Sequence, residues 1–172
     1  HDRINVIVPN LSPADVRELK RILELMRMEA ILLPDISETL DAPFSRPYLK
    51  IPEGGTPVAD IAAMGGARAT IELGTTVADQ LSPGRWLRDQ FGVPLYTLPI
   101  PMGIEATDAL VDLLRELTGR PVPDALHRER GRLLDGMIDS HKYNSEGRAA
   151  ISVTVYLIRT RWSGRMTLDR IE

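Results

Sequence analysis

The sequence predicts an α/β fold: a doubly wound, mostly parallel sheet with helices on both faces. Short apolar runs alternate along the chain with segments in which apolar residues recur at helical spacing. Glycine, proline and capping residues mark the ends of most helical segments. Strand and helix signals that alternate in this way are typical of one domain with a mostly parallel sheet between two layers of helices.

The first helical segment has the clearest start. Residues 4–8 are apolar and β-branched, as in a buried strand, and Ser12 follows as an N-cap. Pro13 suits the first helical turn, and Asp15, three residues past the cap, completes a capping box. A second strand is predicted over residues 30–33.

The middle of the chain predicts two further helices with a strand between them. Thr56 is expected to cap a short helix that begins at Pro57 and ends at the glycine pair of residues 65–66. A third strand over residues 69–73 precedes a helix that Ser82 is expected to cap and Gly92 to end.

The last part of the chain predicts a fourth strand, two helices and a fifth apolar run. The strand covers residues 94–98, and the helix after Gly103 has an inward face of leucines. Those leucines are Leu110, Leu113, Leu114 and Leu117. A longer helix runs from residue 123 to about residue 143, and the apolar run covers residues 148–157.

Composition excludes several kinds of site. The chain has no cysteine, which excludes disulfides, thiol nucleophiles and metal ligation by thiolate. Its net charge of −3 gives no indication of nucleic-acid binding. No apolar run approaches the roughly 20 residues of a membrane helix, and no signal peptide is recognisable. We therefore expect a cytoplasmic protein with neither membrane nor nucleic-acid partners.

No motif for catalysis or cofactor binding is present. The paired glycines at residues 54–55 and 65–66 do not match the loops that bind nucleotide phosphates, and they predict a turn and a helix stop. His127 is expected to face solvent, and His141 to complement the negative end of the long helix. The sequence thus predicts no catalytic residue and no cofactor-binding residue.

Asp135 and Asp139 are the best candidates for a binding site. A spacing of four places both carboxylates on one face of the long helix, where they repel each other. They also lie in its C-terminal half, where the helix dipole disfavours anions. Such a pair is tolerated when it faces water, pairs with Arg132 or Lys142, or binds a hard cation through oxygen. The residues alone leave these alternatives open.

Several strings of the sequence resemble the nitrogenase component 1 family. They occur in the family's order over residues 4–151, and the resemblance is greatest to beta chains of the molybdenum-iron type. The strings are residues 33–35, 40–43, 52–56, 99–108, 117–123 and 129–143.

This resemblance implies that the parent protein is an oxidoreductase of bacteria or archaea. Component 1 takes electrons from an ATP-driven iron protein, passes them through an iron–sulfur cluster between alpha and beta chains, and reduces dinitrogen at a cofactor in the alpha chain. The present chain would be a scaffold and subunit-contact domain, in an oligomer with an alpha-type and a second beta-type chain. The clusters would belong to the parent complex, so we expect no cofactor in this fragment and no catalysis by the fragment alone.

The same resemblance assigns a role to the aspartate pair. In the family's beta chains, two aspartates of the matching motif help to bind a divalent cation where two beta chains meet. Asp135 and Asp139 match those two positions. The resemblance therefore implies an inter-chain cation site whose other ligands come from the partner chain.

The resemblance also divides the chain into three parts. Residues 4–122 would form a Rossmann-like middle domain, and residues 123–151 a long helix and a strand that lead into the next domain. Residues 152–172 form a tail that does not match the family, because the glycine and acidic residues of the expected βα turn are missing.

Two alternatives stay open. In the first, the chain is the equivalent domain of a subunit that assembles the cofactor, or of a vanadium or iron-only nitrogenase. In the second, the chain is an independent module that binds a small molecule in the crevice at the carboxyl ends of the strands. The second alternative lacks support from any phosphate or nucleotide signature.

Overall fold

The computed structural model describes residues 1–44, 46–48, 50 and 54–144, with side chains up to Ser140. The chain forms two compact units, His1–Leu134 and Asp135–Glu172. The first unit contains the sheet. The described part of the second is the end of a long helix. The predicted fifth apolar run, residues 148–157, and the predicted tail, residues 152–172, lie outside the described residues.

The described part of the first unit contains a four-stranded sheet in which every neighbouring pair is parallel. The order across the sheet is β2-β1-β3-β4. Asn5 is in register with Ile31 on one side and with Thr70 on the other. The strands are β1 (Ile4–Ile7), β2 (Ala30–Leu33), β3 (Thr70–Leu73) and β4 (Leu95–Leu98). The predicted mostly parallel α/β fold is confirmed.

Helices connect the strands and continue the chain beyond the sheet. Short 3₁₀ turns at Met64–Gly66 and Asp79–Leu81 flank the third strand. The α-helices are α1 (Pro13–Leu25), α2 (Val58–Ala63), α3 (Pro83–Phe91), α4 (Gly103–Thr118) and α5 (Asp124–Asn144). The helix bounds that the sequence predicted lie within about two residues of those observed, the usual uncertainty of helix ends.

The two faces of the sheet carry separate apolar cores. On one face, Ile4 and Val6 of β1 pack with the buried residues of α1 and α4, among them Leu114. On the other, Ile7 packs with Met64, Leu87 and other residues of the α2–α3 side. The alternation along β1 reflects the period of two in a strand, and it explains why helices must cover both faces.

Capping residues define the start of α1 and both ends of α3 as predicted. The Ser12 side chain accepts a hydrogen bond from the Asp15 amide, while the Asp15 carboxylate accepts one from the Ser12 amide. The Ser82 hydroxyl accepts from the amide of Arg85. Gly92 ends α3 with a left-handed φ of 72°, a conformation that costs glycine little.

The predicted start of the second helix is wrong. Thr56 does not cap it: its hydroxyl donates a hydrogen bond of 2.5 Å to the Leu32 carbonyl and accepts one of 2.9 Å from the Asp35 amide. Pro57 holds the N-cap position without a side-chain hydrogen bond, and α2 begins at Val58. The threonine instead ties the end of β2 to the helix entry, a long-range contact that no local pattern predicts.

Candidate functional site

The predicted carboxylate pair lies on the last three turns of α5. Asp135 and Asp139 are both exposed, and their spacing of four within a continuous helix places them on the same face. The shared face is as predicted.

An apolar side chain occupies the opposite side of the same helical segment. Met137 is two residues from each aspartate, about 200° around the axis at 3.6 residues per turn, and it is 54% exposed. Ile138, next along the helix, is 62% exposed and lies about 60° around the axis from Asp135, beside the carboxylate pair. Exposed apolar side chains therefore lie both opposite the aspartate pair, at Met137, and beside it, at Ile138.

Two carboxylates supply only part of a cation site. Among the described residues, no group of three or more His, Cys, Asp or Glu side chains lies close enough to hold a metal ion. Calcium takes six to eight oxygen ligands, so Asp135 and Asp139 can provide about two to four of them, depending on whether each binds through one oxygen or both. The donor type fits a hard cation, and the ligand number requires further oxygen atoms from elsewhere.

Ion pairs hold the first half of α5 against the other helices of its unit. Arg130 donates hydrogen bonds of 2.8 to 3.0 Å to both carboxylate oxygens of Asp108 on α4. Arg21 on α1 pairs with Glu18 on the same helix and with Glu129 on α5. The Arg130 hydrogen bonds lower the pKa of Asp108 below its ordinary value.

A groove lies between α1, α4 and the first half of α5. Its volume is about 430 Å³. Its apolar lining comes from Ile22, Ile104, Val111, Leu126 and Leu133, and the Arg130–Asp108 pair stands at its rim. None of the α5 side chains up to Ser140 is fully buried, and Leu126 is the α5 side chain that packs, partly buried, against the apolar core of α1 and α4.

The carboxyl edge of the sheet is where doubly wound folds bind their ligands. Anions there usually approach the free amides at a helix N-terminus. At the start of α1, the Asp15 carboxylate accepts a hydrogen bond from the amide of the N-cap Ser12, so a negative charge already lies at this N-terminus.

The side-chain carboxylate of Glu72 occupies the N-terminus of α3. Glu72 on β3 is 3% exposed, and its Oε2 accepts hydrogen bonds of 2.5 Å from the Ser82 hydroxyl and 3.1 Å from the Gly84 amide. Sequence reasoning missed this residue. The sequence did contain a signal for it, an acidic residue within an apolar strand, because a buried carboxylate requires hydrogen-bond donors.

Aromatic side chains project from the outer surface of α3. Trp86 and Phe91 are 57% and 56% exposed and meet edge-to-face, with ring centroids 5.4 Å apart. Phe91 lies flat over Gly65, where an added Cβ would be 2.9 Å from its ring. Exposed aromatic clusters of this kind are typical of protein contact surfaces.

Two further expectations concern histidine and membranes. His127 is exposed, as predicted, whereas the side chain of His141 lies outside the described residues. No helix in the described part of the chain has the length and apolar character needed to cross a bilayer.

Comparison with known proteins gives a consistent result. The family described as nitrogenase component 1 type oxidoreductase matches residues 1–157. The molybdenum-iron protein beta chain of Clostridium pasteurianum is 40% identical over 141 residues, which cover 82% of this chain and 30% of that protein. A solved structure of nitrogenase Cp1 at pH 6.5 superposes with a TM-score of 0.78 and 40% identity, covering 83% of this chain and 31% of its own.

More distant similarity extends to other nitrogenase proteins. The vanadium-iron protein beta chain of Trichormus variabilis is 36% identical over 150 residues, covering 87% of this chain and 32% of that protein. The iron-molybdenum cofactor biosynthesis protein NifN of Klebsiella pneumoniae is 32% identical over 152 residues, with the same coverage of 87% and 32%. The chain thus spans about a third of the length of the relatives it matches.

Proposed function

Because this chain belongs to the nitrogenase component 1 family of oxidoreductases, we propose that it serves as a scaffold and subunit-contact domain of a molybdenum-iron protein beta-type chain. The observation that carries the proposal is the 40% identity to such a beta chain over most of this sequence. Its partners would be an alpha-type chain, a second beta-type chain and, for the complex, the iron protein. The iron–sulfur clusters of the complex would be held by other parts of it, since this chain contains no cysteine.

The carboxyl edge of the sheet supports a scaffold role over an independent ligand-binding role. Asp15 and Glu72 already complement the amides of two helix N-termini, and Glu72 is buried with its hydrogen bonds formed. An incoming phosphate would meet a carboxylate in both places, and like charges repel at such short range. The small-molecule module is therefore the weaker alternative.

Sequence identity ranks the remaining alternatives, the assembly subunit and the vanadium-iron beta chain, below the molybdenum-iron beta chain. NifN of Klebsiella pneumoniae is 32% identical, against 40% for the beta chain of Clostridium pasteurianum. The vanadium-iron beta chain lies between them at 36%. The higher identity favours the molybdenum-iron beta chain.

A segment exchange tests this assignment. Residues 4–144 would replace the aligned segment of the Clostridium pasteurianum beta chain, co-expressed with its alpha chain under anaerobic conditions. We expect the chimera to co-purify with the alpha chain, because its contact surfaces are those of a beta chain. The matched control is the same exchange with the aligned segment of NifN from Klebsiella pneumoniae.

The outcomes separate the alternatives. Pairing by our chimera, with weak or no pairing by the NifN control, supports the beta-chain assignment. A chimera that is folded by circular dichroism but does not pair with the alpha chain, while the control does, contradicts it. Inserting residues 4–144 into NifN itself gives the reciprocal test.

We further propose that Asp135 and Asp139 contribute to an inter-chain divalent cation site in the assembled protein. Three properties support this: both side chains are exposed, they share a helix face, and carboxylate oxygens suit hard cations. The cation, when bound, would neutralise the repulsion between the two carboxylates. The two aspartates would hold it from one side, and oxygen atoms of the partner chain would complete the shell.

A further inference from the structure

We draw no further inference here: the strongest candidate, the apolar groove between α1, α4 and the first half of α5 with the exposed Leu133 at its end, carries none because nothing in the structure shows what covers it.

Discussion

The amide of Gly84 donates a 3.1 Å hydrogen bond to Oε2 of Glu72, and the missing side chain of Gly84 is what makes room for that oxygen. A Cβ built on Gly84 would overlap Oε2 of Glu72 and would lie 2.5 Å from Cδ1 of Leu95. The strand carboxylate and the helix glycine therefore depend on each other. The result is that the start of α3 is held against β3 at Glu72.

We expect Gly84→Ala to destabilise the protein by about 1–3 kcal/mol, the usual cost of overpacking a filled core. The added methyl must displace either the Glu72 carboxylate or the Leu95 side chain, and both are held by the sheet. Urea denaturation followed by circular dichroism measures the loss.

Gly131→Ala is the control for that substitution. Gly131 is exposed within α5, and a Cβ there meets nothing within 4 Å. Alanine should raise stability by about 0.5–1 kcal/mol, because glycine is a poor residue for a helix interior. Equal effects of the two variants would contradict the packing described for Gly84.

Glu72→Ala should also destabilise the protein, by about 1–3 kcal/mol. The substitution removes the acceptor of the Ser82 hydroxyl and the Gly84 amide, which then stay buried without that partner. The same denaturation experiment measures the change. Glu116→Ala on the exposed side of α4 is the control and should stay within about 0.5 kcal/mol of the parent.

The ion pair between α4 and α5 predicts a shift in the titration of Asp108. Hydrogen bonds from Arg130 lower the pKa of Asp108, so Arg130→Gln should raise that pKa towards the ordinary value of about 3.9. Side-chain carboxyl NMR across a pH series measures it. Arg132→Gln removes the same charge from the same helix and should leave Asp108 unchanged; an equal shift would contradict the pairing.

The direction of the pH effect on stability follows from the sign of the shift. A carboxylate whose folded pKa is depressed stabilises the fold above its unfolded pKa, and that contribution is lost as pH falls through the lower, folded value. The contribution of Asp108 should therefore be present above about pH 4 and decrease progressively as the pH falls from there through the folded pKa. Because the Arg130–Asp108 pair is exposed, added salt should reduce its contribution to the free energy of unfolding at any pH.

Asp135 and Asp139 should bind calcium only weakly in the isolated chain. Two carboxylates leave most of the coordination shell to water, so calorimetry should give a dissociation constant well above the micromolar range. In the beta-chain chimera, calcium should instead favour association of two chains, and Asp135→Asn with Asp139→Asn should abolish that effect.

A matched control removes the same charge elsewhere. Asp112 and Glu116 form another exposed pair at a spacing of four, on α4. Asp112→Asn with Glu116→Gln should leave any calcium effect on the chimera intact. Submicromolar binding by the isolated chain would show that its site is complete without a partner and would refute the inter-chain proposal.

We expect the isolated chain to self-associate through its exposed apolar surfaces. Met137 and Ile138 are more than half exposed on α5. Sedimentation velocity over a concentration series should show a rising average size, and Met137→Gln with Ile138→Gln should reduce it. Leu40→Gln, which removes an exposed apolar side chain from a loop, serves as the control. A strictly monomeric parent at high micromolar concentration would be the contrary result.

Local chemistry accounts for most of what the sequence predicted correctly. Ser12 with Asp15 defines the start of α1, and Gly92 the end of α3, because capping depends on residues within a turn of each other. The leucine stripe of α4 is buried as expected from its helical period. The shared face of Asp135 and Asp139 was predictable for the same reason, since it depends only on their spacing within one helix.

The sequence by itself determined the fold class, most of the helix ends and the shared face of the carboxylate pair, all of which depend on neighbours along the chain. Only the tertiary structure decided that Thr56 binds the end of β2, that Glu72 occupies the N-terminus of α3, and that Arg130 pairs with Asp108. The strand order belongs to this second group, because parallel strands pair across long crossovers. Such contacts join residues ten or more positions apart, and no pattern within a single helix or strand specifies which of many compatible partners they meet.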